Sequence, residues 1–308
     1  MEAPLISVGI LSYERPHLLQ HALNSVAAQT YPNLEILISD NCSSNPDVRK
    51  VVGEFLGKRP SAKVFFHEKN RGAFWNFRFV LQQATGPLFI WLADDDFWSP
   101  DFLATLVAAR GSAVPSLTYS KAVPFDLEDQ TPGVPAKERG SAKRGIGNVI
   151  RQTGFDSDSI VYGLFDTCVG KRHSAFLKSW PVKTVWKSRL PTMEIDFVSY
   201  AFLYGMLLEA DFINARDFGG IHYMISRPSS ASIPGSTSPQ RGIFSILRVV
   251  IAMAYIHIML AGRFFQAAVL ARHPAGAIFA PFAAGYLFLR RMAKAALPRL
   301  TALKGSAQ

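Results

Sequence analysis

The chain has 308 residues, 49% of them hydrophobic and 18% charged, with a formal net charge of +10 and a pI near 9.7. That length buries a substantial core and suits one large α/β domain with an appendage, or two modest domains, which excludes a small stapled scaffold. The only two cysteines, Cys42 and Cys168, lie far apart without metal-ligand spacing. Neither a disulfide framework nor a zinc site is expected, and a reducing cytosol is.

The opening stretch, MEAPLISVGILSYERP, has no basic region ahead of its short apolar run and no small-residue cleavage site. It does not read as a secretory signal, so the catalytic part is expected inside the cell. The basic balance calls for an anionic partner, and charge alone does not choose among nucleic acid, phosphorylated substrate and anionic lipid. Position does: Arg241, Arg248, Arg263, Arg272, Arg290, Arg291, Lys294, Arg299 and Lys304 lie among long apolar runs, with no acidic residue after Asp217. This pattern points to a membrane surface and away from nucleic acid.

In chain order, short apolar runs alternate with helical periods over the first 120 residues, the signature of βαβ units and a mainly parallel sheet. Strands are predicted at Leu5 to Leu11, Leu34 to Ser39, Ala62 to His67, Leu88 to Leu92 and around Leu117 to Tyr119. A helix is predicted from Pro16 to Ala28, with Leu18, Leu19, Ala22, Leu23 and Val26 on one face and Pro16 in the first turn, where its missing N–H costs nothing. Further helices fit Asp47 to Leu56, Ala73 to Ala84 and Pro100 to Ala108. From Val123 to Asp158 the composition turns rich in Pro, Gly and charge and reads as a mobile excursion. Helices are expected again at Ser174 to Lys178 and Ile195 to Tyr204, then a connecting segment from Phe218 to Ser232. The apolar stretches Ile243 to Gly262 and Ala275 to Leu289 are interrupted or short, so interfacial helices or a re-entrant pair are expected in preference to two clean spans. Ordinary helices covering the sheet are the alternative.

The sharpest local signal is ATGPLFIWLADDDFWSPDFL, in which an apolar strand runs into Asp94, Asp95 and Asp96. Ligands in open α/β sheets sit at the carboxyl ends of strands. Three adjacent carboxylates there repel one another unless a cation is bound or water screens them. A hard ion such as Mg²⁺ or Mn²⁺ suits oxygen ligands and keeps waters and phosphates in its shell. A solvated acidic turn before a helix N-terminus is the plainer reading of the same residues.

Four further pieces carry a resemblance: Ser12-Tyr13-Glu14-Arg15, Gln29-Thr30-Tyr31-Pro32-Asn33-Leu34-Glu35, Asp40-Asn41-Cys42-Ser43 and Asn70-Arg71-Gly72. With the aspartates, in this order and spacing, the first 110 or so residues resemble family 2 glycosyltransferases of the GT-A fold. The resemblance implies that Ser12, Tyr13 and Glu14 lie against the nucleotide and that Asp40 accepts from the base. Asn41, Asn70 and Gly72 join that nucleotide-sugar set. It places Asp94 near the ribose, Asp95 on a divalent cation (Mn or Mg) and Asp96 in support. Ala93 departs from the family's Asp-x-Asp-Asp and leaves that register open by one residue. Later, Pro191-Thr192-Met193-Glu194-Ile195-Asp196-Phe197 resembles the segment bearing the catalytic carboxylate, Asp196 first and Glu194 second. His222 resembles the late histidine that returns toward the metal or diphosphate.

The expectation is therefore an α/β GT-A domain over residues 1–235, with a nucleotide-binding half to 120 and an acceptor half after it. A membrane-associating helical tail follows over 236–308. It would move a sugar from a UDP- or GDP-type donor, with inversion, to a polysaccharide or lipid-linked oligosaccharide, at the cytoplasmic face of the inner membrane. The resemblance favours a single transfer, since the "Q-x-x-R-W" segment of processive members is not found. The rival readings are a sugar nucleotidyltransferase, which calls for a Gly-rich basic loop where Ser12 to Arg15 stands, and a catalytically inactive membrane-bound adaptor.

Overall fold

The computed structural model describes residues 3–135, 140–153, 159–177, 198–225, 258, 260–287 and 289. It comprises two compact units, Met1–Pro228 and Ser229–Gln308.

The first unit begins with four parallel strands, β1 (Ile6–Ser12), β2 (Leu34–Asp40), β3 (Lys63–Phe66) and β4 (Leu88–Ala93). Helices α1 (Pro16–Ala27), α2 (Pro46–Lys58) and α3 (Ala73–Gln83) make the crossovers between them. All of β1 is buried, Ser7 and Ser12 included, as expected of a strand covered on both faces. Helix α4 (Phe102–Arg110) leads to β6 (Ser116–Tyr119). The sheet is completed by β9 (Leu164–Asp166) and β10 (Asp211–Asn214), in the order β10-β6-β9-β4-β1-β2-β3. Strand β9 runs antiparallel to both its neighbours, so the sheet is mixed at its centre. One face packs Leu19, Leu23, Val26, Val52, Leu103 and Leu106 over Val8, Ile38 and Ile90. Another cluster is aromatic: Trp91 lies 5.0 Å from Phe89, 5.1 Å from Phe165 and 5.6 Å from Phe202, ring centre to ring centre.

A second, four-stranded sheet has the order β5-β11-β7-β8, formed by β5 (Asp96–Trp98), β7 (Lys121–Asp126), β8 (Thr131–Pro132) and β11 (Ile221–Ile225). Two sequence expectations change here. The stretch from Val123 to Asp158 is not all loop: it holds most of β7, all of β8 and helix α5 (Ile146–Thr153). The buried Asn148 explains the helix, for its Nδ2 donates to the carbonyls of Leu207 and Ala210 at 3.1 Å each, partners that local composition cannot reveal. The expected connector from Phe218 likewise contains β11, held between β5 and β7. The helix expected at Ser174 is only a 3₁₀ turn closing α6 (Thr167–His173), and the one expected at Ile195 is described as α7 (Val198–Glu209).

The motif Gln29 to Glu35 is scaffold in this structure. Gln29 donates to the Ser99 carbonyl at 2.8 Å and accepts from the Leu103 amide at 3.0 Å, thereby capping α4. Tyr31 and Asn33 tie the chain start through the carbonyls of Pro4 and Ala3. Glu35 accepts from Ser7 Oγ on β1 (2.5 Å), Lys63 Nζ on β3 (2.8 Å), and the Thr85 amide and hydroxyl ahead of β4 (2.8 and 2.9 Å). One carboxylate thus links three strands and the approach to a fourth.

Candidate functional site

The strand order reverses between β1 and β4: β2 and β3 lie on one side, β9, β6 and β10 on the other. In a parallel sheet that reversal opens a crevice at the carboxyl ends of the strands. Ser12 ends β1 and pairs in register with Asp40, which ends β2, while Asp94 directly follows β4. The fold therefore gathers Ser12, Tyr13, Glu14, Asp40, Asn41 and Asp94 at one edge of the sheet.

The side chains are held in detail. Arg15, the residue before α1, reaches across the switch point. Its Nη2 and Nε meet the two oxygens of Asp94, and its Nη1 lies 3.3 Å from Asp95 Oδ2. The Tyr13 amide also donates to Asp94, at 3.1 Å. Burial pushes the Asp94 carboxyl above the ordinary aspartate range, and the adjacent Arg15 and Tyr13 amide only partly oppose it. Asp96 faces a different partner: its Oδ2 lies 2.9 Å from His222 Nε2, both side chains buried. Pairing of β11 with β5 sets this contact, with His222 opposite Trp98 and the Ile225 amide donating to the Asp95 carbonyl at 3.1 Å.

Across the crevice, Asp40 accepts from the Ser43 amide (2.9 Å) and hydroxyl (2.5 Å). Glu14 adopts a positive φ of 61° and turns its carboxylate to the Ser44 and Asn45 amides at the start of α2. Those amides hold the Glu14 carboxyl below its ordinary range. Asn41 donates to Asn70 at 2.9 Å and accepts from the Arg71 amide at 3.1 Å. Gly72 sits at φ 85°, where a side chain would be strained, and its amide donates to Asn70. Arg71 lies over the Trp75 ring at 4.7 Å. Ser12 Oγ is buried without a hydrogen-bond partner among the described residues. Asp196 and Glu194 lie outside the described residues.

The arrangement revises one electrostatic inference. The sequence argued that three crowded aspartates need a cation; Arg15 supplies a charge to two of them, and His222 partners the third. Among the described residues no group of three or more His, Cys, Asp or Glu is placed to hold a metal ion. The Asp95 side chain is the most exposed of the three carboxylates, at 19% against 10% for Asp96 and 2% for Asp94. A hard divalent ion completed by water and phosphate needs little more from the protein. Arg15 and Ser43 were missing from the sequence-derived site. Arg15 stood in the first motif, but its reach to Asp94 depends on the turn into α1.

Residues 7–122, the span that carries these contacts other than those of β11, match the family model described as "Glycosyl transferase family 2". This region is a family 2 glycosyltransferase domain. Within curated proteins, the chain is 34% identical over 98 residues to the Escherichia coli "UDP-Glc:alpha-D-GlcNAc-diphosphoundecaprenol beta-1,3-glucosyltransferase WfgD", covering 32% of this chain and 38% of WfgD. It is 30% identical over 100 residues to the "Putative teichuronic acid biosynthesis glycosyltransferase TuaG" of Bacillus subtilis, covering 32% and 39%. An "Uncharacterized glycosyltransferase alr2836" from Nostoc is 29% identical over 150 residues, covering 48% and 46%. The chain thus spans less than half the length of these relatives. Among solved structures, S. aureus TarS 1-349 in complex with UDP-GlcNAc superposes with a TM-score of 0.56 at 18% identity, covering 86% of this chain and 71% of that one. The fold of this family 2 domain is accordingly GT-A-like.

Proposed function

We infer that the chain transfers a sugar from a nucleotide-diphosphate sugar, with inversion, to a hydroxyl of a polysaccharide or lipid-linked oligosaccharide, one sugar at a time. The observation that carries this reading is the switch-point crevice, where Asp94 and Asp95 share Arg15 opposite the fixed Asp40–Asn41–Asn70 wall. A uridine donor is favoured over a guanosine one because WfgD is named for UDP-Glc and TarS was solved with UDP and UDP-GlcNAc. The acceptor class follows WfgD and TuaG by analogy.

In this reading Ser12, Tyr13 and the Asp40–Asn41–Asn70 wall receive the nucleoside, and Asp94 orients the ribose. Arg15 meets the diphosphate, exchanging one anionic partner for another. Asp95 would hold a divalent cation with Asp96 and His222 behind it; when bound, that ion offsets charge on the leaving diphosphate. The acceptor oxygen attacks the anomeric carbon as the bond to the diphosphate oxygen breaks, and the diphosphate departs with the electron pair. A carboxylate takes the acceptor's proton. That base is assigned from sequence to Asp196, with Glu194 as second choice. A nucleotidyltransferase is disfavoured, because the turn after β1 is Ser12-Tyr13-Glu14-Arg15 and not a Gly-rich phosphate loop.

Calorimetric titration of UDP and of GDP, each with and without Mn²⁺, into wild type and Asp95→Ala tests this. Metal-dependent UDP binding, weakened at least about tenfold by the substitution, is expected. Failure of both nucleotides to bind under every condition would overturn the reading in favour of the adaptor.

A further inference from the structure

The second unit is built the wrong way out for a water-soluble helical pair. Its described residues form helices over 260–270 and 274–287, joined by a turn in which the His273 amide donates to the Ala268 carbonyl at 2.9 Å. The side chains withdrawn from solvent are largely small: Ala267, Ala268, Ala280, Ala283 and Ala284, with Leu260, Phe264 and Leu287. The exposed ones are large and apolar. Ile258, Phe265 and Val269 repeat at helical spacing along one stripe, and Ile278, Phe282, Tyr286 and Leu289 along another.

Scattered exposed apolar residues are ordinary, but concentration is not. Of the thirteen large hydrophobic residues exposed among the described residues, eight fall between 258 and 289. Small residues turned inward and large ones outward is the arrangement of helices whose surroundings are lipid. Charge identifies the surroundings further. After Asp217 the chain has ten Lys or Arg and no Asp or Glu, so residues 1–217 carry 23 basic and 23 acidic side chains and the entire formal +10 resides beyond them. Two copies of so cationic a segment repel each other, whereas anionic headgroups attract it at about 1 kcal/mol per basic residue near the surface. No helix among the described residues is long and apolar enough to cross a membrane.

We propose that the helical pair 260–287 docks on an anionic bilayer, burying the stripes of Phe265 and Phe282 among the acyl chains. The proposal is independent of the transfer chemistry. The test is flotation of the full chain with vesicles of phosphatidylcholine alone or with about one-third phosphatidylglycerol, for wild type and for the Phe265→Glu/Phe282→Glu double variant. Both positions are solvent-exposed, so the fold should tolerate the change, and an unchanged thermal midpoint verifies it. Wild type is expected to float at least about tenfold more with anionic than neutral vesicles, and the variant to lose at least about tenfold of that binding. Equal partition of wild type and variant would overturn the proposal. So would absence of vesicle binding combined with a concentration-dependent dimer, seen by sedimentation, that the same substitutions abolish; that outcome would assign the stripes to a second copy.

Discussion

At the scale of single residues, Arg15 is the group on which the site turns. Its side chain contacts both Asp94 and Asp95, and it does so from the loop that also supplies Ser12, Tyr13 and Glu14. Replacing it with Gln removes the charge that opposes the burial of Asp94, so the Asp94 carboxyl should rise further above its ordinary range. UDP affinity should then fall about tenfold or more near neutral pH, and the loss should deepen as pH falls toward the raised carboxyl. Lys at this position should restore little, since it cannot present a planar fork to two carboxylates. Calorimetry across pH 5 to 8 decides; equal affinity in wild type and Arg15→Gln would remove Arg15 from the donor site. The aspartate triplet stood out in the sequence as three carboxylates at the end of an apolar strand, with a solvated acidic turn as the plainer reading of the same residues. The direction in which each carboxylate points was not legible there. It depends on where the turn into α1 aims Arg15 and on β11 returning His222 from 126 residues away.

At the scale of elements, the parallel β1–β4 block was readable because its strands are mostly apolar runs between amphipathic helices. Strands β5, β9, β10 and β11 are three to five residues long, and pairing partners rather than local pattern create them. Glu35 shows how a motif residue serves pairing. Burial would raise its carboxyl, but the bonds from Lys63, Ser7 and Thr85 hold it at about 2, against an ordinary 4.5. A carboxylate depressed in the fold contributes stability above about pH 4.5 that is lost as pH falls toward 2. Glu35→Gln should therefore cost about 2 kcal/mol at pH 7, allowing for its partly solvated lysine partner, and should flatten the acid limb of the stability curve. Urea midpoints at pH 7 and pH 3 would reveal it, and a variant with an unchanged acid limb would contradict it. A second element-level contact joins α6 to α7. A Cβ at Gly205 would lie 2.2 Å from His173 Nδ1, on a buried ring whose Nε2 bonds Glu209 at 2.8 Å. Gly205→Ala should cost about 1–3 kcal/mol by overpacking, and most of that cost should vanish in a His173→Ala background. Additive losses in denaturant titrations of the double variant would mean that the helices relax apart by another route.

At the scale of the whole molecule, the chain separates its chemistry from its charge. The portion up to Asp217, which holds every described site residue except His222, is formally neutral, and the remainder carries all of the net +10 together with the exposed apolar stripes. In the proposed reading, a neutral catalytic portion would draw its affinity for an anionic donor from local groups such as Arg15 and a cation at Asp95, not from a long-range field. The apolar stripes, for their part, are what would drive any association of the purified chain in lipid-free solution, against the repulsion of its like charges. Two consequences can be separated in one preparation. The Phe265→Glu/Phe282→Glu variant should be the more monodisperse by light scattering, while its UDP affinity with Mn²⁺ stays within about twofold of wild type. If the same substitutions instead lower the thermal midpoint by the several degrees expected of about 2 kcal/mol, those side chains are interior packing and not an outer face. An unchanged midpoint with improved dispersity would mean that the phenylalanines serve contact with surroundings rather than the fold, as a helical pair with alanines inside and aromatics outside requires.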